Sequence, residues 1–305
     1  MAKIYERTPI KKFSVGKGKL YDFTTIQAAI DEATNWDEKI QILIFPGDYQ
    51  ENVRIYGEDI ELIGIGEVVI TSNLAAYQIN YQGEERGTFQ TATVFINGQT
   101  ILLKNLSIVN TAGPGEIVGQ AVALYIEGTD IHIDSCKLDG YQDTLCLGPL
   151  PKFQKDGKQL MVSPWLKIPY TEQIVDFHYC QISGTVDFIF GGGQASFYHC
   201  QLYVKKNTHT NYITAASTPK NQKGFYFVSC MVTGDSPYYL GRPWRQYAAV
   251  TFVNSYFDQQ LYSTGWHDWD KPKNRQTVNY QEINCLYLGE KSSTRWATKE
   301  MSEQK

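Results

Sequence analysis

Two aspartates, Asp143 and Asp187, are the residues from which chemistry can be argued on spacing. Each lies seven positions beyond a cysteine, Cys136 or Cys180, in the apolar, strand-like runs YQDTL and VDFIF. An ionised side chain buried in such a run is costly unless it is paired or hydrogen-bonded. If the two cysteines hold the same place in successive turns of a stacked fold, the carboxylates lie about one strand spacing, ~4.8 Å, apart. Like charges that close do not both ionise easily, so one pKa rises and the other falls. At neutral pH the pair is then an acid beside a nucleophile or base. The plainer alternative is two turn residues with solvated carboxylates. Their shared offset and apolar flanks weigh against it.

The frame that would hold them is a repeat. ILLKNLSI (101–108), IHIDSCKL (131–138), VDFHYCQI (175–182), ASFYHCQL (195–202), FYFVSCMV (225–232) and VTFVNSYF (250–257) align with apolar first, third and eighth positions, Ala195 being the one small residue. Their sixth column reads Leu106, Cys136, Cys180, Cys200, Cys230, Ser255, at steps of 30, 44, 20, 30 and 25 residues. A constant strand motif with unequal spacing predicts an all-β right-handed parallel β-helix, whose loops leave at the corners; propellers and horseshoes keep a more regular period. Four cysteines in one column read as inward, reduced thiols acting as small hydrophobes, with disulfides between coils as the rival. Thr24 and Gln27 have capping-box spacing, and Ile26, Ala29, Ile30 and Ala33 share a helical face. A helix over about 24–34 is therefore expected to close the first coil. The whole chain, 1–305, reads as one catalytic solenoid, with a polar tail over about 291–305 that frays or packs along the outside.

With 305 residues, 42% of them hydrophobic, the chain can bury a sizeable core, and its formal charge of -4 offers no basic field to nucleic acid. No apolar run is long enough to span a bilayer, and neither the cysteines nor the five histidines have zinc-type spacing. The N-terminal stretch lacks the apolar core of a secretory signal, so the expected location is cytoplasmic, or secreted if a leader has been removed. A monomer without metal or organic cofactor is expected.

The motifs GDYQE (47–51), GQAVAL (119–124), YQDTL (141–145), DFIFG (187–191) and LGRPW (240–244), with GWHDW (265–269) and NYQEIN followed by Arg295-Trp296, stand in an order that resembles the pectin methylesterase (pectinesterase) family. The resemblance covers about residues 20–296. It implies an esterase acting on methyl-esterified oligo- or polygalacturonate, with Asp187 as nucleophile and Asp143 as the acid that protonates methanol and then takes a proton from water. It further implies that Gln120 and Gln142 donate to the oxyanion, that Arg242 holds Asp187 ionised, and that Trp244 forms part of the sugar-binding surface. Tyr141 and Trp266 are candidate substrate contacts, Trp266 and Trp269 being equally readable as core, and Glu51 reads as structural. The glutamines could instead be amides that satisfy coil backbone.

One stretch departs from the family pattern. Between YQDTL and DFIFG lie 41 residues, including LGPLPKFQKDGKQLMVSPWLKIP with four Pro and four Lys. A projecting loop over about 147–170 is expected, whose Lys152, Lys155, Lys158 or Lys167 either approaches free galacturonates or is simply solvated. Competing functions are a lyase, which needs a carboxylate cluster for Ca²⁺, a glycosidase with carboxylates flanking a glycosidic oxygen, an esterase for another acyl group such as a thioester, and a carbohydrate-binding solenoid that has lost activity.

Overall fold

The structure, a computed structural model, describes residues 10–153, 157–160, 162–293 and 295–296. Its strands stack in parallel, and the first repeat position runs through nine coils in register: Ile40, Ile60, Ile101, Ile131, Val175, Ala195, Phe225, Val250 and Tyr280. The fold is a parallel β-helix. Three coils escaped the repeat alignment. The last, YQEINCLY, was hidden because Glu282 occupies an inward position; it is buried, and its carboxylate accepts from the Trp266 indole at 2.9 Å and pairs with Arg295.

The third column carries an aromatic stack. Phe177, Phe197, Phe227 and Phe252 stack ring on ring at 4.6, 4.4 and 4.4 Å, each fully buried. In the sixth column, each thiol donates to the third-position carbonyl of the preceding coil, Cys180 to Ile133 at 3.3 Å and Cys230 to Phe197 at 3.4 Å. Cys285 extends the column with the same bond to Phe252. The cysteines are free thiols, and burial pushes the Cys136 thiol up. Between these columns the fifth residue turns the corner with a left-handed φ of 49–55°, as at Asn105, Ser135, His199, Asn254 and Asn284. Asn and His are enriched among non-glycine residues in that conformation, and Tyr179 adopts it at the same position.

Two long strands, Val53–Gly64 and Val94–Lys104, run continuously across two faces of the helix. The bend between faces is a place where backbones touch: a Cβ on Gly98 would meet the Gly57 carbonyl at 2.4 Å, and one on Gly128 the Gly98 carbonyl at 2.3 Å. Only glycine fits there.

The N-terminal helix is Ile26–Ala33 and buries the four expected apolar residues. Its cap is Thr25, not Thr24: the Thr25 hydroxyl accepts from Ala28 N at 3.3 Å, while the Glu51 carboxylate accepts from Ile26 N and Gln27 N at 3.0 Å each. A carboxylate reaching across from just beyond the strand Gly47–Gln50 does what the Thr24–Gln27 box was expected to do, and it favours the positive end of the helix. Glu51 is thus structural. At the other end Arg295 is buried rather than frayed; the tail beyond 296 lies outside the described residues.

Candidate functional site

One outer face of the helix is built from the short strands Leu124–Ile126, Leu145–Leu147, Ile189–Gly191 and Asn211–Ala216. Their outward column, Tyr125, Cys146, Phe190 and Ala215, is in register and buried, because an aromatic layer including Phe89, Trp244 and Trp269 packs over it. This layer forms the floor and walls of a cleft of about 400 Å³.

Leu145 pairs with Ile189, so Asp143 and Asp187, each two residues earlier, occupy equivalent places on adjacent coils. Neither lies within a strand, contrary to the sequence expectation. Both sit in the turn that opens one, with left-handed φ of 66° and 50°. That turn breaks the alternation, so that Phe188 enters the core while both carboxylates join the cleft lining. A strained conformation held by rigid surroundings is a feature of functional sites.

The two carboxylates differ in environment. Asp187 receives a two-pronged bond from Arg242, Nε to Oδ1 at 2.8 Å and Nη2 to Oδ2 at 2.7 Å. This geometry stabilises the ionised carboxylate. Burial, reinforced by the negative charge of Asp187, pushes the Asp143 carboxyl well above its ordinary range, with Arg242 opposing more weakly. Arg242 is itself fixed between two rings, its guanidinium carbon 3.9 Å from the centroids of both Tyr212 and Trp269. Desolvation works against its charge, but Asp187 outweighs this and raises its pKa. The Trp269 amide donates to His267 Nδ1 at 2.9 Å, which fixes that end of the sandwich.

Gln120 and Gln142 line the same cleft as the aspartates and Arg242, and so does Trp244. The Gln142 side chain rests on Gly115, where a Cβ would fall 2.5 Å from its Oε1. Of the remaining candidates, Trp266 is corrected: it is 1% exposed, stacks on Tyr280 at 4.2 Å and donates to Glu282, so it belongs to the core. Its neighbour Trp269 takes the cleft position. The GWHDW pattern could not tell the two apart, because the left-handed φ of Gly265 and Trp269 decide which ring turns inward. Tyr141 does not line the cleft; its ring lies 4.4 Å from the Lys205 ammonium. Tyr212 was missed, since it lies twelve residues beyond Cys200 rather than seven.

The inserted segment is docked, not simply projecting. The buried Asn97 side chain accepts from Lys167 N and Ile168 N at 2.9 Å each, and donates to Ile168 O at 2.8 Å and Glu127 O at 2.7 Å. Trp165 packs edge-on against Phe95 at 5.7 Å, and its carbonyl accepts from Tyr56. The segment's end is held by buried Glu127, which accepts from Tyr125 OH and Gln173 Nε2 at 2.6 Å each; burial raises its pKa. Lys167 stands 3.5 Å over the Tyr56 ring, Lys152 and Lys158 are exposed, and Lys155 lies outside the described residues. Among the described residues, this segment contributes Leu160 to the cleft. Among the described residues, no cluster of three or more His, Cys, Asp or Glu is placed to hold a metal ion.

The pectinesterase family model matches residues 12–158 and 170–305. A pectinesterase/pectinesterase inhibitor of Arabidopsis thaliana, number 22, is 31% identical over 289 residues, covering 92% of this chain and 47% of the relative, so the chain spans about half that protein's length. Among solved structures, a pectin methylesterase from carrot superposes with a TM-score of 0.79 at 25% identity, covering 95% of this chain and 88% of that one. A pectin methylesterase in complex with a hexasaccharide gives 0.74 at 26%, covering 95% and 93%.

Proposed function

The chain belongs to the pectinesterase family, and we propose that it is the hydrolase that removes methyl esters from galacturonate in pectin or its oligomers, releasing methanol. One observation supports the assignment of roles above all: a carboxylate gripped by the Arg242 fork adjoins a second, buried carboxyl whose pKa is raised by burial and by its neighbour's charge.

In this reading an Asp187 oxygen attacks the ester carbonyl carbon. The charge that develops on the carbonyl oxygen is met by the side-chain amides of Gln120 and Gln142, neutral donors already in place. The tetrahedral adduct collapses as the Asp143 carboxyl gives its proton to the departing methoxy oxygen. Methanol leaves, and an anhydride joins substrate and Asp187. Asp143, now a carboxylate, takes a proton from water, whose oxygen attacks the substrate acyl carbon and releases Asp187. Ester and water have become acid and methanol, and both aspartates are back in their starting states. Arg242 keeps Asp187 ionised and aimed, while Trp244 and Trp269 offer apolar faces to sugar rings.

The test is methanol release from defined methylated oligogalacturonides and from polymeric pectin, with chain length followed in parallel. Methanol without shortening of the chain is expected. Chain cleavage, or methanol from neither substrate, contradicts the reading.

A further inference from the structure

We infer that Leu160 is a specificity-determining residue, which selects substrates whose galacturonates next to the reacting ester are also methylated. The inference rests on the esterase reading above and concerns a part of the cleft that the family does not supply. Residues 159–169 fall between the two segments matched by the family model, yet Leu160 lines the same cleft as Asp143 and Asp187.

Leu160 is held in place. Its amide donates to the Lys152 carbonyl at 3.0 Å, and Phe153 and Gln159 form an antiparallel bridge just before it. The Phe153 carbonyl in turn accepts from Arg245, next to Trp244. Further along, Asn97 and Trp165 fasten the segment to the β-helix. A side chain so supported acts as a fixed wall.

The chemistry of the wall decides what it accepts. With Phe89, Leu160 adds apolar surface to a cleft in which Arg242 is the one cation among the described lining residues, and Arg242 already serves Asp187. A free galacturonate carboxylate brought against Leu160 and Phe89 loses hydration, and the described lining offers no cation beyond Arg242 to offset that loss, which is unfavourable. A methyl ester at the same place is neutral and buries its methyl group. Product that has lost its esters is accordingly disfavoured. Of the segment's lysines, Lys167 is stacked over Tyr56, and the exposed Lys152 and Lys158 are not among the residues lining the cleft.

The experiment compares kcat/KM for methanol release from fully methylated and singly methylated hexagalacturonides of equal length. Wild type should favour the fully methylated substrate, beyond the statistical factor for ester number. Leu160→Ala should lower the ratio about fivefold, within the range set by losing small apolar contacts in a pocket. Leu160→Lys should lower it further, and Leu160→Met should retain it. A ratio unchanged in active Leu160→Ala and Leu160→Lys overturns the inference, as does a wild-type preference for the singly methylated substrate. Binding of the same hexamers to Asp187→Asn, read by calorimetry, tests the preference without turnover. Absence of wild-type methanol release from both hexamers would instead overturn the esterase reading, even if the binding preference held.

Discussion

Asp143 occupies a position that is unfavourable for its charge and, in the proposed mechanism, suited to a general acid. Its folded-state pKa lies above the unfolded value, through burial first and Asp187 second. Below the ordinary carboxyl range both states hold the proton. As pH rises through that range, the unfolded chain ionises while the folded one stays protonated, so stability falls until the folded pKa is reached. Asp143→Asn removes this cost: its melting temperature should exceed wild type by more at pH 7 than at about pH 4, while kcat drops about 10²- to 10⁴-fold. Scanning calorimetry with methanol assays across that range checks both. Activity of wild type should decline on the alkaline side as Asp143 loses its proton. Arg242→Lys keeps a charge but loses the fork, and kcat should fall at least tenfold. At this scale the sequence was informative where spacing was regular. The seven-residue offset from Cys136 and Cys180 located both aspartates, but not the left-handed turns that hold them, and it could not separate Trp266 from Trp269.

Among the elements, the docked segment tests how the cleft wall is supported. Asn97 makes four hydrogen bonds from a fully buried position, two accepted from the segment's backbone. Asn97→Ala leaves those amides and carbonyls without their partner, at about 1–3 kcal/mol for an unsatisfied buried group. Urea denaturation should show a loss of about 2–3 kcal/mol, with hydrogen exchange rising first at Lys167 and Ile168. Unchanged exchange there would show that the remaining contacts, through Trp165 and Glu127, suffice to hold the segment. Little of this could be read in advance, because the bonds join residues about 70 positions apart and Asn97 resembles any other strand residue. Four Pro and four Lys suggested a projecting loop, either reaching the substrate or solvated. The helix cap illustrates the same limit: Glu51 replaces the local box through a contact 25 residues away.

In the molecule as a whole, the solenoid stacks like on like, and that periodicity is what made the fold legible. The phenylalanine and cysteine columns repeat in sequence because they repeat in space; the last coil was obscured where Glu282 and Arg295 replaced apolar partners by a buried ion pair. Phe227→Ala, which opens a gap between rings stacked at 4.4 Å on either side, should cost about 3–5 kcal/mol in denaturant unfolding. In the proposed mechanism Asp187 attacks the ester, and the most direct test is methanol release by purified Asp187→Asn, with circular dichroism confirming the fold. At least a thousandfold loss of kcat with wild-type spectra is predicted. Turnover within tenfold of wild type in the folded variant would contradict the account.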